Sequence, residues 1–412
     1  MKTEPVRKSA VLIVLILLFL AGNTAGMYAT LTSRKQLHVW DLQPLWQAGR
    51  WMVEGHGSPY SEEMTRLLQM RSYGRPAQQD EDNRAFVYPL YILLLVLPLI
   101  YLPLPWAQAA WFTLLELAAV VGAVGAMRVA GWTLSARRVL LMVIWAFLLY
   151  PMTWAMALGQ VSIVVMALMV MTLLALQAGW ESWAGVCLAL TTAKPQMSFL
   201  FVPALLLAAV MQRRSRFLLS FIAAMGALLL ASFVVSPSWL ADIWRATASY
   251  FESQPFPPPV ALLGKAVAGE QGEAVTFVLV ALLLAGLAWI WRRERHARPL
   301  PVWAIGLTLV VTTLIAPRTS LVNQVMLLLP LAMVLRDLAA RGVWGNVAAV
   351  GLAMALLVTM WGIRALGLIP SDPLGYRVEH VIISPILPAV LLLVMPVLRL
   401  APGPGQKVDV VK

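Results

Sequence analysis

The sequence predicts an all-α polytopic membrane protein, and three observations carry that prediction. Of its 412 residues, 60% are hydrophobic and only 12% are charged. Its mean hydropathy is +0.79. Apolar stretches of spanning length recur along it, separated by short basic clusters. A soluble domain carries about 25% charged residues, so this chain has too few to clothe a water-exposed surface of its size. Lipid offers no partner to a bare peptide group, and helices that span it satisfy their backbone internally.

A span needs about 20 apolar residues, and about twelve stretches meet that criterion. They run roughly over 10–30, 86–104, 106–127, 139–157, 161–178, 183–210, 217–236, 275–291, 301–316, 320–335, 343–368 and 380–399. The first competes between a signal peptide and a retained anchor, because Lys2, Arg7 and Lys8 precede it. The apolar run from Ala10 to Leu31 is long enough to span and no clear A-x-A site follows, so a retained anchor is expected. Residues 1–400 read as a single transmembrane domain and 401–412 as a disordered cytoplasmic tail.

The net charge of +12 would raise nucleic acid as a partner in a soluble chain. Here Lys and Arg gather between apolar runs, the membrane pattern, and no nucleic acid is expected. Lys2/Arg7/Lys8, Arg213/Arg214/Arg216, Arg292/Arg293/Arg295/Arg298, Arg336/Arg341 and Arg399/Lys407/Lys412 fall on one side. That side is expected to be the cytoplasm of a plasma-membrane protein, with both termini inside. Loops 31–85 and 237–274 then lie outside. One loop objects: Arg128, Arg137 and Arg138 fall outside in this scheme, so either a helix between 86 and 178 is misplaced or that loop is basic for its own reason.

The lone Cys187 excludes an intrachain disulfide, and His38, His56, His296 and His380 form no paired zinc motif. No second carboxylate stands near Asp41 in D-x-D spacing. No protein-held metal is therefore assigned, no cofactor is certain, and a need for a divalent ion is left open.

The first outer loop is the most informative stretch. Leu42, Leu45, Trp46, Gly49, Met52 and Val53 recur at i, i+3, i+4, i+7 spacing, an amphipathic helix suited to the membrane surface. Gly55-His56-Gly57 stops it. Ser58-Pro59 predicts the start of a second surface helix, with Glu62 and Glu63 in its first turn and Met64, Leu67 and Leu68 as its apolar stripe. Asp41 stands where an N-cap is expected. The same carboxylate, held at the membrane surface, is also a candidate general base.

The chain resembles glycosyltransferase family 87. The resemblance is carried by Asp41 after the first span, Gly55-x-x-x-Pro59-Tyr60, and Phe86-Val87-Tyr88-Pro89 opening the second. It continues at Leu158-Gly159-Gln160 with Ser162, at Ala184-Gly185, at Ala193-Lys194-Pro195 and at Ala316-Pro317-Arg318-Thr319-Ser320. Mycobacterial-type mannosyltransferases of that family follow the last motif with a histidine pair, where Val322-Asn323-Gln324 stands here. The resemblance implies a GT-C-like bundle that moves a sugar, mannose first, from a polyprenyl-phosphate donor to a glycolipid or glycan hydroxyl on the extracytoplasmic face. It implies Asp41 as the base and inversion at the anomeric carbon.

Such a reaction needs a cationic or amide-rich site for the departing phosphate. Lys194 lies within an apolar stretch, where a charged Lys costs about 2.5–3.5 kcal/mol on insertion scales. It is a phosphate-binding candidate, against snorkelling or pairing with Glu116. Arg318 is the second candidate, through bidentate contact, against an ordinary loop role. Tyr88, Gln160, Asn323, Gln324 and His56 are candidate cavity-lining residues. Gln160 falls on the cytoplasmic side of the simple topology, which conflicts with a sugar role unless the neighbouring helices are broken. The rival readings are a transporter or lipid flippase, for which Glu116 is the one clear intramembrane carboxylate, and a non-catalytic envelope scaffold.

Overall fold

A computed structural model describes residues 20–29, 41–78, 81–253, 257–294, 300–317, 319–366 and 382–400. Its regular structure is helical. In chain order the helices are 20–29 (α1), Leu42–Val53 (α2), Glu62–Tyr73 (α3), Leu93–Val96 (α4), Leu104–Val129 (α5), Ala136–Leu148 (α6), Tyr150–Leu158 (α7), Ser162–Gln177 (α8), Glu181–Thr191 (α9) and Pro195–Ser198 (α10). They continue as Phe201–Met211 (α11), Ser215–Val235 (α12), Trp239–Ser253 (α13), Pro259–Ala268 (α14), Gly272–Glu294 (α15), Val302–Ile315 (α16), Leu328–Ala339 (α17), Val343–Ala365 (α18) and Ile386–Leu400 (α19). A 3-10 helix, Leu321–Leu327, leads into α17.

By length and apolarity, five helical stretches among the described residues can cross a membrane, or six if the bent α6–α7 pair counts as one. Shorter apolar helices pack among them. The tail beyond 400 and the start of the first apolar stretch lie outside the described residues.

Three of the expected spans are not single helices, and one of them, 139–157, divides into α6 and α7 at a 65° bend. Residues 86–104 form no spanning rod. Pro89 opens a 3-10 turn, Leu90–Ile92, which runs into the single turn of α4 and then a series of turns before Pro103 starts α5. The helix α2 packs on this segment: the Trp46 indole N–H donates to the carbonyls of Leu99 (3.1 Å) and Leu102 (3.3 Å). A Cβ on Gly49 would stand 2.6 Å from the Ile100 side chain, so the close approach uses a glycine. The first half of α2 is therefore buried rather than spread on a surface, and Val53, expected on the apolar stripe, is exposed.

Residues 183–210 form a hairpin. Thr191 and Thr192 turn their hydroxyls back onto the carbonyls of Leu188 and Ala189, both at 2.6 Å, and end α9. Lys194 precedes a proline, which disfavours helical backbone at that position, and it takes φ −129°, ψ 83°. The chain then turns through α10 into α11. The outer ends of the hairpin meet: Glu181 lies 4.0 Å from Arg214, whose guanidinium also donates to the Leu176 carbonyl.

Along its length α9 lies against α12. Its Gly185 fits against the Phe217 carbonyl and the Ser220 hydroxyl, and its tip Thr192 reaches Met225. Met225 is ten residues into α12, so the tip stands about 15 Å along a helix about 30 Å long. Tyr91, from the broken segment 86–103, donates to the Thr192 hydroxyl at 3.0 Å. Two broken segments thus meet inside the bundle.

The basic clusters that are described share one face. Glu294 at the end of α15 pairs with Arg399 at 3.0 Å, Arg341 donates to the Leu398 carbonyl, and Leu300 lines a crevice with Gln212 and Arg214. Trp132, in the loop after Arg128, donates to the Ala332 carbonyl at 2.8 Å, and Gly131 lies beside Arg336. Arg128, Arg137 and Arg138 therefore belong with the other clusters, which favours the first of the two alternatives, a misplaced helix between 86 and 178. At the other end, Ser58 donates to Asp242 at 3.1 Å, tying the first loop to α13.

The second surface helix starts at Ser61, which caps it by accepting the Met64 amide, three residues later than the Ser58-Pro59 start expected.

A methyl group added at Gly185 would meet backbone atoms, the Phe217 carbonyl at 2.6 Å and the Phe221 amide at 2.7 Å, which cannot step aside. Gly185→Ala is expected to destabilise the protein by about 1–3 kcal/mol. Gly351→Ala, where nothing lies within 4 Å, should be neutral or slightly stabilising. Thermal unfolding in detergent followed by tryptophan fluorescence checks both.

Candidate active site

The site forms where α2 begins, α7 ends and the α9–α11 hairpin turns. The helix α6 stops at Leu149 and α7 leaves at 65°. The carbonyls freed by this break are satisfied, that of Leu148 by the Trp361 indole (2.8 Å) and that of Phe147 by the Thr153 hydroxyl (2.6 Å). Helix α7 ends at Gly159, whose φ of +69° is the left-handed conformation that closes helices. The Gly159 carbonyl accepts from the buried Trp111 indole at 2.7 Å. That contact holds Gln160 near the start of α5, at the end of the molecule away from Arg128. The conflict over the side on which Gln160 lies disappears, because the helices around it are broken.

A chain of hydrogen bonds runs through this junction. The Asp41 amide donates to the Leu158 carbonyl at 3.1 Å. The Gln160 side-chain amide donates to the Asp41 carboxylate. Lys194 donates to Gln160 Oε1 at 2.7 Å and to the Ser162 hydroxyl at 2.9 Å, and Ser162 donates to Gln160 Oε1 at 3.2 Å. Asp41 does stand at the N-cap of α2, but its side chain makes no capping bond. The carboxylate is thus committed to Gln160 rather than to the helix amides. Lys194 is 3% exposed and does not pair with Glu116. Glu116 instead accepts from Asn23 at 2.6 Å, binding α1 to α5.

Burial pushes the Asp41 carboxyl above its ordinary range, while the charges of Arg84 and Lys194 pull it down. Arg84 is the stronger of those two cations, and it was not among the residues singled out from sequence. It is buried, its φ is +61°, its amide donates to Asp82 (2.8 Å) and its Nε donates to Ser72 (3.2 Å). A non-glycine residue at positive φ is uncommon; the charge of Arg84 acts on Asp41. The one signal in the sequence was a lone Arg directly before the apolar run at Ala85. Ser162 was noted only as part of a motif, yet it shares the Lys194 ammonium.

The other expected residues scatter. Tyr88 contributes its backbone carbonyl to the Tyr60 hydroxyl (2.7 Å), and its ring lies 5.9 Å from Phe86. Asn323 and Gln324 are buried on the 3-10 helix, which packs against α7 and α8. His56 lies outside the network, exposed beside Glu54 and the Trp51 ring. Arg318 lies outside the described residues. Among the described residues no three His, Cys, Asp or Glu side chains converge.

These features define an all-helical membrane protein in which a half-buried carboxylate is joined through a buried amide to a buried ammonium at the meeting of broken helices. The family model of glycosyltransferase family 87 matches residues 86–317, more than half of the chain, and the protein belongs to that family. It is a membrane glycosyltransferase. The match includes Gln160, Ser162 and Lys194; Asp41 lies before it. No curated protein and no solved structure matches the chain.

Gln160 is bonded to both charged members of the chain. Gln160→Leu strips a hydrogen-bond partner from each, and is expected to lower stability by about 1–3 kcal/mol. His56→Ala, on the surface, should stay within about 0.5 kcal/mol of the native protein. Urea or thermal titration of the two purified variants checks this pair.

Proposed function

We propose that the protein transfers a sugar, mannose first, from a polyprenyl-phosphate donor to the hydroxyl of a glycolipid or glycan, with Asp41 as the general base. The observation that carries this reading is the chain from Asp41 through Gln160 to Lys194 and Ser162. It puts a proton acceptor and a cation at one place, and this reaction needs both.

In the proposed step the acceptor oxygen attacks the anomeric carbon as the bond from that carbon to the phosphate oxygen breaks. The acceptor proton passes to Asp41, and the polyprenyl phosphate leaves with the bonding electrons. The transition state is oxocarbenium-like, as in other glycosyl chemistry. Attack from the face opposite the leaving phosphate inverts the anomeric centre. Lys194 and Arg84 are the cations we assign to the phosphate charge, with Arg318 following the site in sequence. In low dielectric such fixed donors contribute more than they would in water.

The reading also carries a topology. With 86–103 and the 181–211 hairpin removed from the count of crossings, all the basic loops share one face, which the positive-inside rule makes cytoplasmic. The site then opens toward the extracytoplasmic face of the plasma membrane, where lipid-linked sugars meet their acceptors, and both termini lie inside.

The test is transfer of radiolabelled mannose from polyprenyl-phosphate-mannose to a membrane lipid extract by the detergent-purified protein. The native chain is expected to form product and Asp41→Asn to lose at least about 10²-fold in rate. Equal product from both would remove Asp41 from the base role. No donor consumption by the native chain would remove the polyprenyl-phosphate-mannose reading.

The pH dependence follows from the charges around Asp41. The base must be ionised, so transfer rises with pH through the Asp41 titration. Arg84 lowers that pKa; Arg84→Gln removes the pull and should move the acid limb of the rate profile to higher pH. An unmoved limb would separate Arg84 from Asp41.

A further inference from the structure

Nine buried side-chain nitrogen or oxygen atoms among the described residues make no hydrogen bond, and seven of them lie on α2, on α7, next to Arg84 in the chain or on the stretch 319–324. Unmet polar atoms are normally rare in a folded interior, because each costs about 1–3 kcal/mol. Here they are concentrated at one end of the molecule. The densest group is on the stretch between α16 and α17. Thr319 Oγ1, Asn323 Oδ1 and Gln324 Oε1 all lack partners, and the three residues are between 0% and 1% exposed. The 3-10 helix that carries two of them packs against α7 and α8, the helices that flank Gln160.

The chemistry of the open atoms is specific. The Gln324 amide nitrogen donates to the Ser384 carbonyl, which fixes the orientation of that amide and leaves its oxygen turned the other way. Two amide oxygens are acceptors only. They repel a phosphate, which brings acceptors of its own, and they match a ligand that brings several O–H donors. The Thr319 hydroxyl accepts or donates as required.

We propose that Thr319, Asn323 and Gln324 form the subsite for the sugar hydroxyls, separate from the cations that take the phosphate, and that Asn323 and Gln324 set which sugar is accepted. This inference rests on the glycosyltransferase reading of the site. A pocket built to pair with a hydroxyl discriminates strongly against ligands that leave its polar atoms unpaired.

The test is binding, so it stands apart from catalysis. Short-chain polyprenyl phosphate and its mannosyl, glucosyl and arabinosyl esters are titrated into the detergent-solubilised full chain, and affinity is read from tryptophan fluorescence. One sugar ester is expected to bind at least about tenfold more tightly than the sugar-free phosphate. Asn323→Leu and Gln324→Leu are expected to lose that increment, or to transfer it to another sugar, while keeping the native affinity for the sugar-free phosphate. The retained phosphate affinity shows that each variant is folded. Asn323→Asp, which keeps an acceptor oxygen, should retain more of the increment than Asn323→Leu.

An increment that survives both leucine variants would overturn the proposal and leave the open atoms to buried water. The absence of any increment in the native protein would also overturn it. Loss of phosphate affinity together with the sugar increment would mean these residues support the fold. Failure of transfer with binding intact would strike the catalytic assignment of Asp41 and leave the sugar subsite standing.

Discussion

The ammonium of Lys194 is the constraint around which the interior is arranged. A charge taken out of water must be paired and hydrogen-bonded or it costs several kcal/mol. Lys194 is bonded to a glutamine oxygen and a serine hydroxyl, and the carboxylate of Asp41 is one hydrogen bond further on. To bring those groups to the lysine, three separate interruptions have to coincide. The helix ending at Gly159 delivers Gln160, α9 ends at Thr191 and the proline after Lys194 holds that residue out of helix, and Asp41 is carried in from the loop by its amide bond to Leu158. Several of the carbonyls at these breaks are paired, that of Gly159 with the Trp111 indole and those of Leu188 and Ala189 with the Thr191 and Thr192 hydroxyls.

The proposed site has two polar groups of residues. The positive one holds Lys194 and Arg84 against Asp41. The other is lined by acceptor oxygens on the 3-10 helix. A sugar phosphate has that asymmetry, an anion at one end of its ring and hydroxyl donors around the rest. Glu116, the residue that raised a transporter, is bonded to Asn23 and serves to hold α1 on α5. Polar side chains of this kind commonly join helices in a membrane, so this carboxylate has a structural use.

Much of the site was legible in the sequence as individual residues. Lys194 stood out because it is charged where hydropathy makes charge expensive, Asp41 because it stands at an expected N-cap, and Asp41 and Gln160 because they belong to the motifs that carry the family resemblance. Their association was not legible, because a uniform count of apolar stretches put Gln160 and Asp41 on opposite sides. Arg84 was missed since nothing in a loop marks a positive φ before the backbone is seen. His56 looked poised between two glycines, yet it is a surface residue beside Glu54. The capping role of Asp41 was half legible: position along the helix is a local property, but which hydrogen bond the side chain takes depends on a residue 119 positions away.

The sequence alone determined that this is an all-helical membrane protein of glycosyltransferase family 87, with every basic cluster but Arg128, Arg137 and Arg138 on one side. Those properties follow from composition, local spacing and short motifs, and they need no knowledge of packing. Only the tertiary structure decided that 86–104 and 183–210 do not run as single helices. An apolar stretch of about 20 residues meets the length requirement of a span whether or not it is straight. The bend depends on prolines acting together with partners distant in sequence: Trp46 on Leu99, Tyr91 on Thr192, and Trp111 on Gly159. Those long-range contacts fold the apolar segments back, bring Arg128 to the basic face, and place Asp41 and Lys194 on either side of one glutamine.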